Sequence, residues 1–332
     1  MKTGVREMAE GIFMITLPMP FRLKHVNIYL FPEEGGFTLI DTGPNLHGVL
    51  PALEASLAEI GRRMEDCRRI WITHFHMDHC GLAGIIAGRS GASVYLSEIE
   101  ELTVRTFARE DRALRIRRFA LEHGLDGGTI DTVIRLFSAF RTAISPFSAA
   151  GILADGDQLT VGGRSVEVIA TPGHSRGHIS FHLPEERFLI AGDHILPHIT
   201  PNLSPDLIAP DFHPLESFLS SLARVEGLPV RIVCPAHGRP FSDLKGRVAE
   251  MREHHRERSV LALRALAEGP RNCGEVSRFI FGEDLSPFDR LLALNETYVH
   301  LIQMEREALI RREMRNGLCL FARMSSNLAD SP

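Results

Sequence analysis

The chain predicts an α/β fold whose sheets are buried on both faces, followed by a smaller, largely helical unit. Three observations carry that prediction. Four short apolar runs, RIWITHFH, VEVIATPGH, RFLIAGDH and RIVCPAHG, each lead into a turn bearing a His or an Asp. Near-continuous apolar strands of this kind suit a sheet covered on both sides, and open α/β sheets build their sites in the loops at strand ends. Stretches with helical spacing separate the strands. At 332 residues, 44% hydrophobic and 24% charged, the chain accommodates one domain of about 200–250 residues and a smaller companion.

Taken in order, GIFMITL and VNIYLF within residues 11–41 are β-rich, and FTLIDTG follows a turn signal at Glu33-Glu34-Gly35-Gly36. Residues 49–62, VLPALEASLAEIGR, have helical spacing. Residues 97–150 break the strand rhythm with two predicted helices, about 97–123 and 129–144, and are expected to form an inserted helical lid. The second carries Ile130, Val133, Ile134, Phe137, Phe140 and Ile144 on one stripe. Beyond Gly238 a long helix is expected at 245–268, closed by Gly269-Pro270. A short helix at 273–281, another at 287–305 and a strand pair at 308–323 complete the outline of a winged helix. The expected organisation is therefore a catalytic domain over 1–245 and a winged-helix-like domain over 246–332.

Charge and cysteine usage narrow the function classes. Net charge is −5, so no global basic field recruits nucleic acid or an anionic membrane. Five scattered cysteines without a CxxC pair argue against a disulfide framework and for a reducing compartment. Residues 1–20 contain Glu7 and Glu10 and no long apolar core, so a cytoplasmic protein without a signal peptide is expected. No apolar run approaches the length of a membrane span.

The chemistry concentrates in THFHMDHCG, residues 73–81. His74, His76, Asp78 and His79 place four metal-competent groups within six positions, and His174, Asp193 and His237 follow at the ends of later apolar runs. Imidazole and carboxylate suit borderline divalent metals, zinc first, with iron or manganese as alternatives. Seven such groups exceed the needs of one tetrahedral ion. If Asp193 bridges, His74, His76 and His174 form one site and Asp78, His79 and His237 the other. Two such ions would lower the pKa of a shared water to about 7, giving a metal-bridging hydroxide as nucleophile. Asp78 would orient it as the catalytic carboxylate.

This set resembles the metallo-β-lactamase superfamily over about residues 10–245. THFHMDHCG carries that family's HxHxDH signature, and the later His, Asp and His arrive in its order. The resemblance implies an αββα sandwich with a dinuclear site on one edge. It also implies that Asp41, in LIDTG, orients a ligand from just behind the metals. DGDQLTVGG before the VEVIATPGH run also looks like the family, whereas PHITPNLS at 197–204 and the helical tail look like a branch of these hydrolases with an appended winged helix. PGHSRGH is similar to the glyoxalase II-like branch, although the usual glutathione-binding elements of that branch are not found. His178, four residues after His174, and His198 are expected behind or beside the ligands. Cys80 is expected to pack beneath the site.

The expected activity is hydrolysis of a thioester or related ester of a small, anionic metabolite. A single-strand endoribonuclease and a mononuclear-iron persulfide dioxygenase are the alternatives. Arg105, Arg109, Arg112, Arg115 and Arg118 fall roughly on one side of the first lid helix. Glu98, Glu100, Glu101, Glu110, Asp111 and Glu122 balance them, and the expected role is a solvated face rather than an anion clamp. Residues 247–323 hold 13 Arg against 12 acids. That is no electrostatic footprint for nucleic acid, and the tail is expected to serve packing or dimerisation.

Overall fold

The computed structural model describes residues 4–106 and 111–324, which divide into two compact units. The first comprises residues 1–108, 139–201 and 220–248; the second comprises 109–138, 202–219 and 249–332.

The first unit holds two sheets. In the seven-stranded sheet, β1 (Gly4–Ala9), β2 (Ile12–Pro18), β3 (His25–Glu33) and β4 (Gly36–Ile40) form an antiparallel meander. β5 (Cys67–Trp71), β6 (Ser93–Leu96) and β7 (Gly151–Ile152) then add in parallel. The five-stranded sheet contains β8 (Gln158–Val161), β9 (Arg164–Ala170), β10 (Ile179–Leu183), β11 (Phe188–Gly192) and β12 (Ile232–Pro235). β9 and β11 each run antiparallel to β10, and β12 runs parallel to β11. The carboxyl ends of β9, β11 and β12 therefore share one edge.

The period of two along each strand explains why the sequence reads as continuously apolar. On β2, Ile12 and Met14 enter the core between the sheets, while Ile15 and Leu17 enter the core on the opposite face. Tyr29 and Phe31 alternate with Ile28 and Leu30 in the same way on β3. Helices α1 (Val49–Glu59), the short α2 (Met77–Cys80) and α3 (Ala83–Ser90) follow β4 and β5. Val49, Leu53 and Leu57 of α1, with Ala83 and Ile86 of α3, cover the outer face of the larger sheet, matching the i, i+4, i+8 spacing in the sequence.

The stretch expected to be a lid is shared between the units. α4 (Glu98–Thr106) belongs to the first and α5 (Asp111–Glu122) to the second, and α6 (Gly127–Ala139) has all but its last residue in the second. The expected helix 97–123 thus appears as α4 and α5, with residues 107–110 outside the described residues, Arg109 and Glu110 among them. Of the predicted apolar stripe, Ile130 and Val133 are buried in the core of the second unit, and Phe137 packs against it. Phe140 instead meets Phe21 edge-on in the first unit.

α7 (Pro214–Glu226) and α8 (Leu244–Ala265) each contribute residues to both units. The second unit continues with β13 (Arg271–Asn272), α9 (Cys273–Phe281), α10 (Pro287–Arg306), β14 (Ile310–Arg315) and β15 (Leu318–Arg323). Its three strands form an antiparallel sheet in the order β13-β15-β14. α9 starts in a reciprocal cap: Asn272 accepts from Glu275 N–H, and the Glu275 carboxylate accepts from Asn272 N–H. No described helix is long and apolar enough to cross a membrane.

Between the two sheets, Trp71 of β5 stacks on Phe181 of β10 with ring centroids 5.6 Å apart. Both rings are buried. Phe181→Ala should lower stability by about 3–5 kcal/mol, read as a shift of the denaturant midpoint of the sandwich; an unchanged midpoint would show that this contact does not hold the sheets together.

Candidate metal centre

Five strand ends deliver the site. β4 runs into Asp41, β5 into the segment 72–79 that enters α2, β9 into the turn bearing His174, β11 into Asp193, and β12 into His237. All seven predicted ligands lie in the first unit and converge. His76 Nδ1 lies 2.9 Å from His74 Nε2 and 3.0 Å from His174 Nε2. Asp78 Oδ2 lies 3.3 Å from His237 Nε2 and 3.8 Å from His79 Nε2. Asp193 stands between these groups. Its Oδ2 is 3.5 Å from His174 Nε2, whereas its Oδ1 is 3.2 Å from His237 Nε2 and 3.5 Å from His79 Nε2.

Hydrogen bonds on the far side of the rings set their orientation. Asp41 accepts from the Thr73 N–H at 2.8 Å, from the Thr73 hydroxyl and from His79 Nδ1 at 2.8 Å. Because a carboxylate only accepts, His79 carries its proton on Nδ1 and turns Nε2 to the centre. His237 donates from Nδ1 to the His25 carbonyl at 2.8 Å, with the same result. The Thr73 hydroxyl, having given its proton to Asp41, accepts from His74 Nδ1 at 3.0 Å. Asp41 does this from a left-handed backbone, φ 62°, uncommon for a residue with a Cβ. Among the described residues, His79 Nε2, His237 Nε2 and Asp193 Oδ1 are buried without hydrogen-bond partners. Buried polar atoms are nearly always satisfied, and three such orphans within one cluster fit a cation as their common partner.

Electrostatics agree. Burial holds His74 well below its ordinary value and brings His76 to about 3, so these rings are neutral and able to ligate. Burial would raise Asp78, but His79 and His237 outweigh it and hold the carboxyl at about 2. Burial pulls His237 down, yet Asp193 and Asp78 outweigh it and lift the ring to about 10. The acidic half of the cluster thus demands positive charge, supplied by ring protons or by a metal ion.

Around this centre, His178 is buried; its Nδ1 pairs with the Thr171 hydroxyl at 2.8 Å, and its Nε2 accepts from the Asp193 N–H at 3.2 Å. Gly192 has φ 52°, and a Cβ there would meet His178 Nε2 at 2.7 Å, so only glycine admits that packing just before Asp193. Cys80 is buried and its Sγ donates to the Phe75 carbonyl at 3.0 Å. His198 is exposed, unlike the groups that converge.

Several positioning residues carried no sequence signal. Asn27 donates to the carbonyls of Pro235 and Gly238 at 3.0 and 2.9 Å, and Tyr29 donates to the Pro235 carbonyl at 2.9 Å, clasping the loop of His237. Glu100, expected on a solvated face, is 1% exposed. Arg105 meets Glu101 and Arg118 meets Glu122 at the surface, as expected, whereas Arg112 of the same predicted face is half-buried, and burial pulls its guanidinium down to about 10. A separate group, His254, His255 and Glu296 of the second unit, belongs to a polar network in which Glu296 also accepts from Asn202 and His255 meets His300.

Comparison with known proteins agrees with this geometry. Residues 22–237 match the family described as the Metallo-beta-lactamase superfamily. A probable metallo-hydrolase of Bacillus subtilis (strain 168) is 27% identical over 95% of this chain and 98% of its own length. The crystal structure of a metallo-beta-lactamase family protein from Thermus thermophilus superposes with a TM-score of 0.83 at 32% identity, covering 96% of this chain and 100% of that one. An atrochrysone carboxyl ACP thioesterase of Aspergillus fumigatus is 30% identical over 45% of this chain and 47% of its own length.

Asp41→Asn keeps the shape of the side chain but removes the obligate acceptor that fixes the His79 tautomer. Metal affinity, measured by competition with a chromophoric chelator, should fall by about 10–100-fold. Wild-type affinity in this variant would show that Asp41 does not orient the centre.

Proposed function

Because the chain belongs to the metallo-beta-lactamase superfamily and is a metal-dependent hydrolase, we propose that its seven converging side chains hold two divalent cations, with zinc the best match to an imidazole and carboxylate donor set. His74, His76, His174 and one oxygen of Asp193 would hold the first; Asp78, His79, His237 and the other oxygen would hold the second. The observation that carries this reading is the placement of the two Asp193 oxygens, one toward each group of histidines. When bound, such cations supply Lewis acidity and a water that ionises near neutral pH.

The chain's own residues do the rest. Asp78 is the most exposed of the three carboxylates, at 15% against 10% for Asp193 and 4% for Asp41. With Oδ2 turned to His237, its Oδ1 is left to accept a hydrogen bond from the attacking water and so to orient it. His79 and His237 have committed their Nδ1 protons to Asp41 and the His25 carbonyl, so neither is poised as an acid for a leaving group. That favours a group able to depart as an anion. A thiol, with a pKa of about 8.5, leaves far more readily as an anion than an alcohol does. The likeness to a thioesterase over 45% of the chain supports the same class. We therefore read the protein as a hydrolase of a thioester, or related ester, of a small anionic metabolite. We read β13–β15 with α9 and α10 as a winged-helix-like element.

Protein loaded with metal should cleave an acyl-CoA or acyl-glutathione thioester, lose that activity to a chelator and regain it on metal addition. Asp78→Asn should lower kcat by about 10²–10⁴-fold. Protein that holds two metals per chain but turns over no thioester, or that instead cuts single-stranded RNA, would overturn the substrate class.

A further inference from the structure

Glu100 lies in the first turn of α4, in the stretch Ser97-Glu98-Ile99-Glu100. That spacing is the pattern of a capping box, in which the glutamate folds back onto its own helix start. Here both carboxylate oxygens are committed to other loops. Oε2 accepts from the Phe75 N–H at 2.9 Å, and Oε1 accepts from the Ser175 hydroxyl at 2.7 Å and the Gly177 N–H at 2.8 Å. Phe75 lies between His74 and His76, and Ser175 follows His174. One carboxylate therefore grips, at the adjacent residue, all three histidines of the first group and none of those in the second.

The packing around it is specific. The Ser97 hydroxyl donates to the Gly177 carbonyl at 2.7 Å. A Cβ on Gly177 would meet Ser97 Oγ at 2.6 Å and Glu100 Oε1 at 2.8 Å, so the turn approaches only as glycine. Burial pushes the Glu100 carboxyl up from its ordinary value, and its three donors pull it part of the way back. A buried carboxylate is costly. Its three acceptor contacts, two to backbone N–H groups, make it a fixed pin between two loops rather than a surface charge.

We propose that Glu100 is a positioning residue that sets the spacing of His74, His76 and His174 and so selectively raises metal affinity at that half of the centre. This rests on the two-cation reading above. Its loss should weaken the first site more than the site of Asp78, His79 and His237, because Phe75 and Ser175 adjoin in sequence ligands of the first group and none of Phe75, Ser175 and Gly177 adjoins one of the second.

The test is Glu100→Gln, with Ser175→Ala as a milder variant that removes one donor. Cobalt(II) is titrated into metal-free protein, and chelator competition gives both affinities while the visible spectrum reports ligand geometry. Wild type should bind two equivalents. Glu100→Gln should bind one with unchanged affinity and the other about 10–100-fold more weakly, with an altered spectrum for the weak site. Ser175→Ala should show the same selective loss, smaller in size, and decides the matter if Glu100→Gln does not fold. Unchanged affinities in the variants, or equal loss at both sites, would overturn the role of Glu100 alone. Wild-type protein that binds fewer than two equivalents would instead overturn the two-cation reading.

Discussion

The structure turns on the Asp193 carboxylate, whose two oxygens face two separate groups of imidazoles. To stand there it needs the end of β11, a left-handed Gly192 that lets the chain pass His178, and the His178 ring that accepts its backbone N–H. It also needs the end of β12, paired in parallel beside β11, to bring His237 to the same edge. The second contributing edge is that of β4 and β5, another parallel pair, which supplies Asp41 and the HxHxDH turn. Parallel pairs release successive loops on the same side of a sheet. Two such pairs, one in each sheet, are what allow residues as distant as Asp78 and His237 to meet.

Gathering this many titratable groups in a buried pocket has a cost, because desolvation disfavours every charged form. The arrangement offsets it by dividing the work. Nδ1 protons face outward to Asp41, the Thr73 hydroxyl and the His25 carbonyl, while ring lone pairs and carboxylate oxygens face inward. The inner surface is consequently rich in acceptors and poor in donors, and its orphaned atoms cluster at one point. A cation would neutralise that surface, and the hydrophobic sandwich behind it keeps the supporting hydrogen bonds dry and therefore strong.

The candidate ligands were legible in the sequence for a physical reason. HxHxDH is local, so its spacing is visible in one line of residues. His174, Asp193 and His237 each follow an apolar strand, so period and position announce them. Asp41 became visible through family resemblance rather than through spacing. The groups that aim these ligands were not legible, because they act across the fold: Asn27 reaches Pro235, and His25 reaches His237. Glu100 was misread as a solvated charge because Glu98 and Glu101 flank it on a polar helix start; its burial follows from the close approach of Gly177, which no helical pattern reveals. His198 fails in the opposite direction, since its neighbourhood in the sequence suggested the centre and the fold leaves it exposed. The stretch expected as a lid is helical where it is described, but the sharing of residues 97–150 between two compact units depends on tertiary packing that periodicity does not encode.

The most direct measurement is anomalous diffraction from crystals grown with zinc, recorded above and below the zinc absorption edge. The account predicts two edge-dependent peaks, each about 2.0–2.2 Å from a different oxygen of Asp193. A single peak, or a pair lying away from that carboxylate, would contradict it.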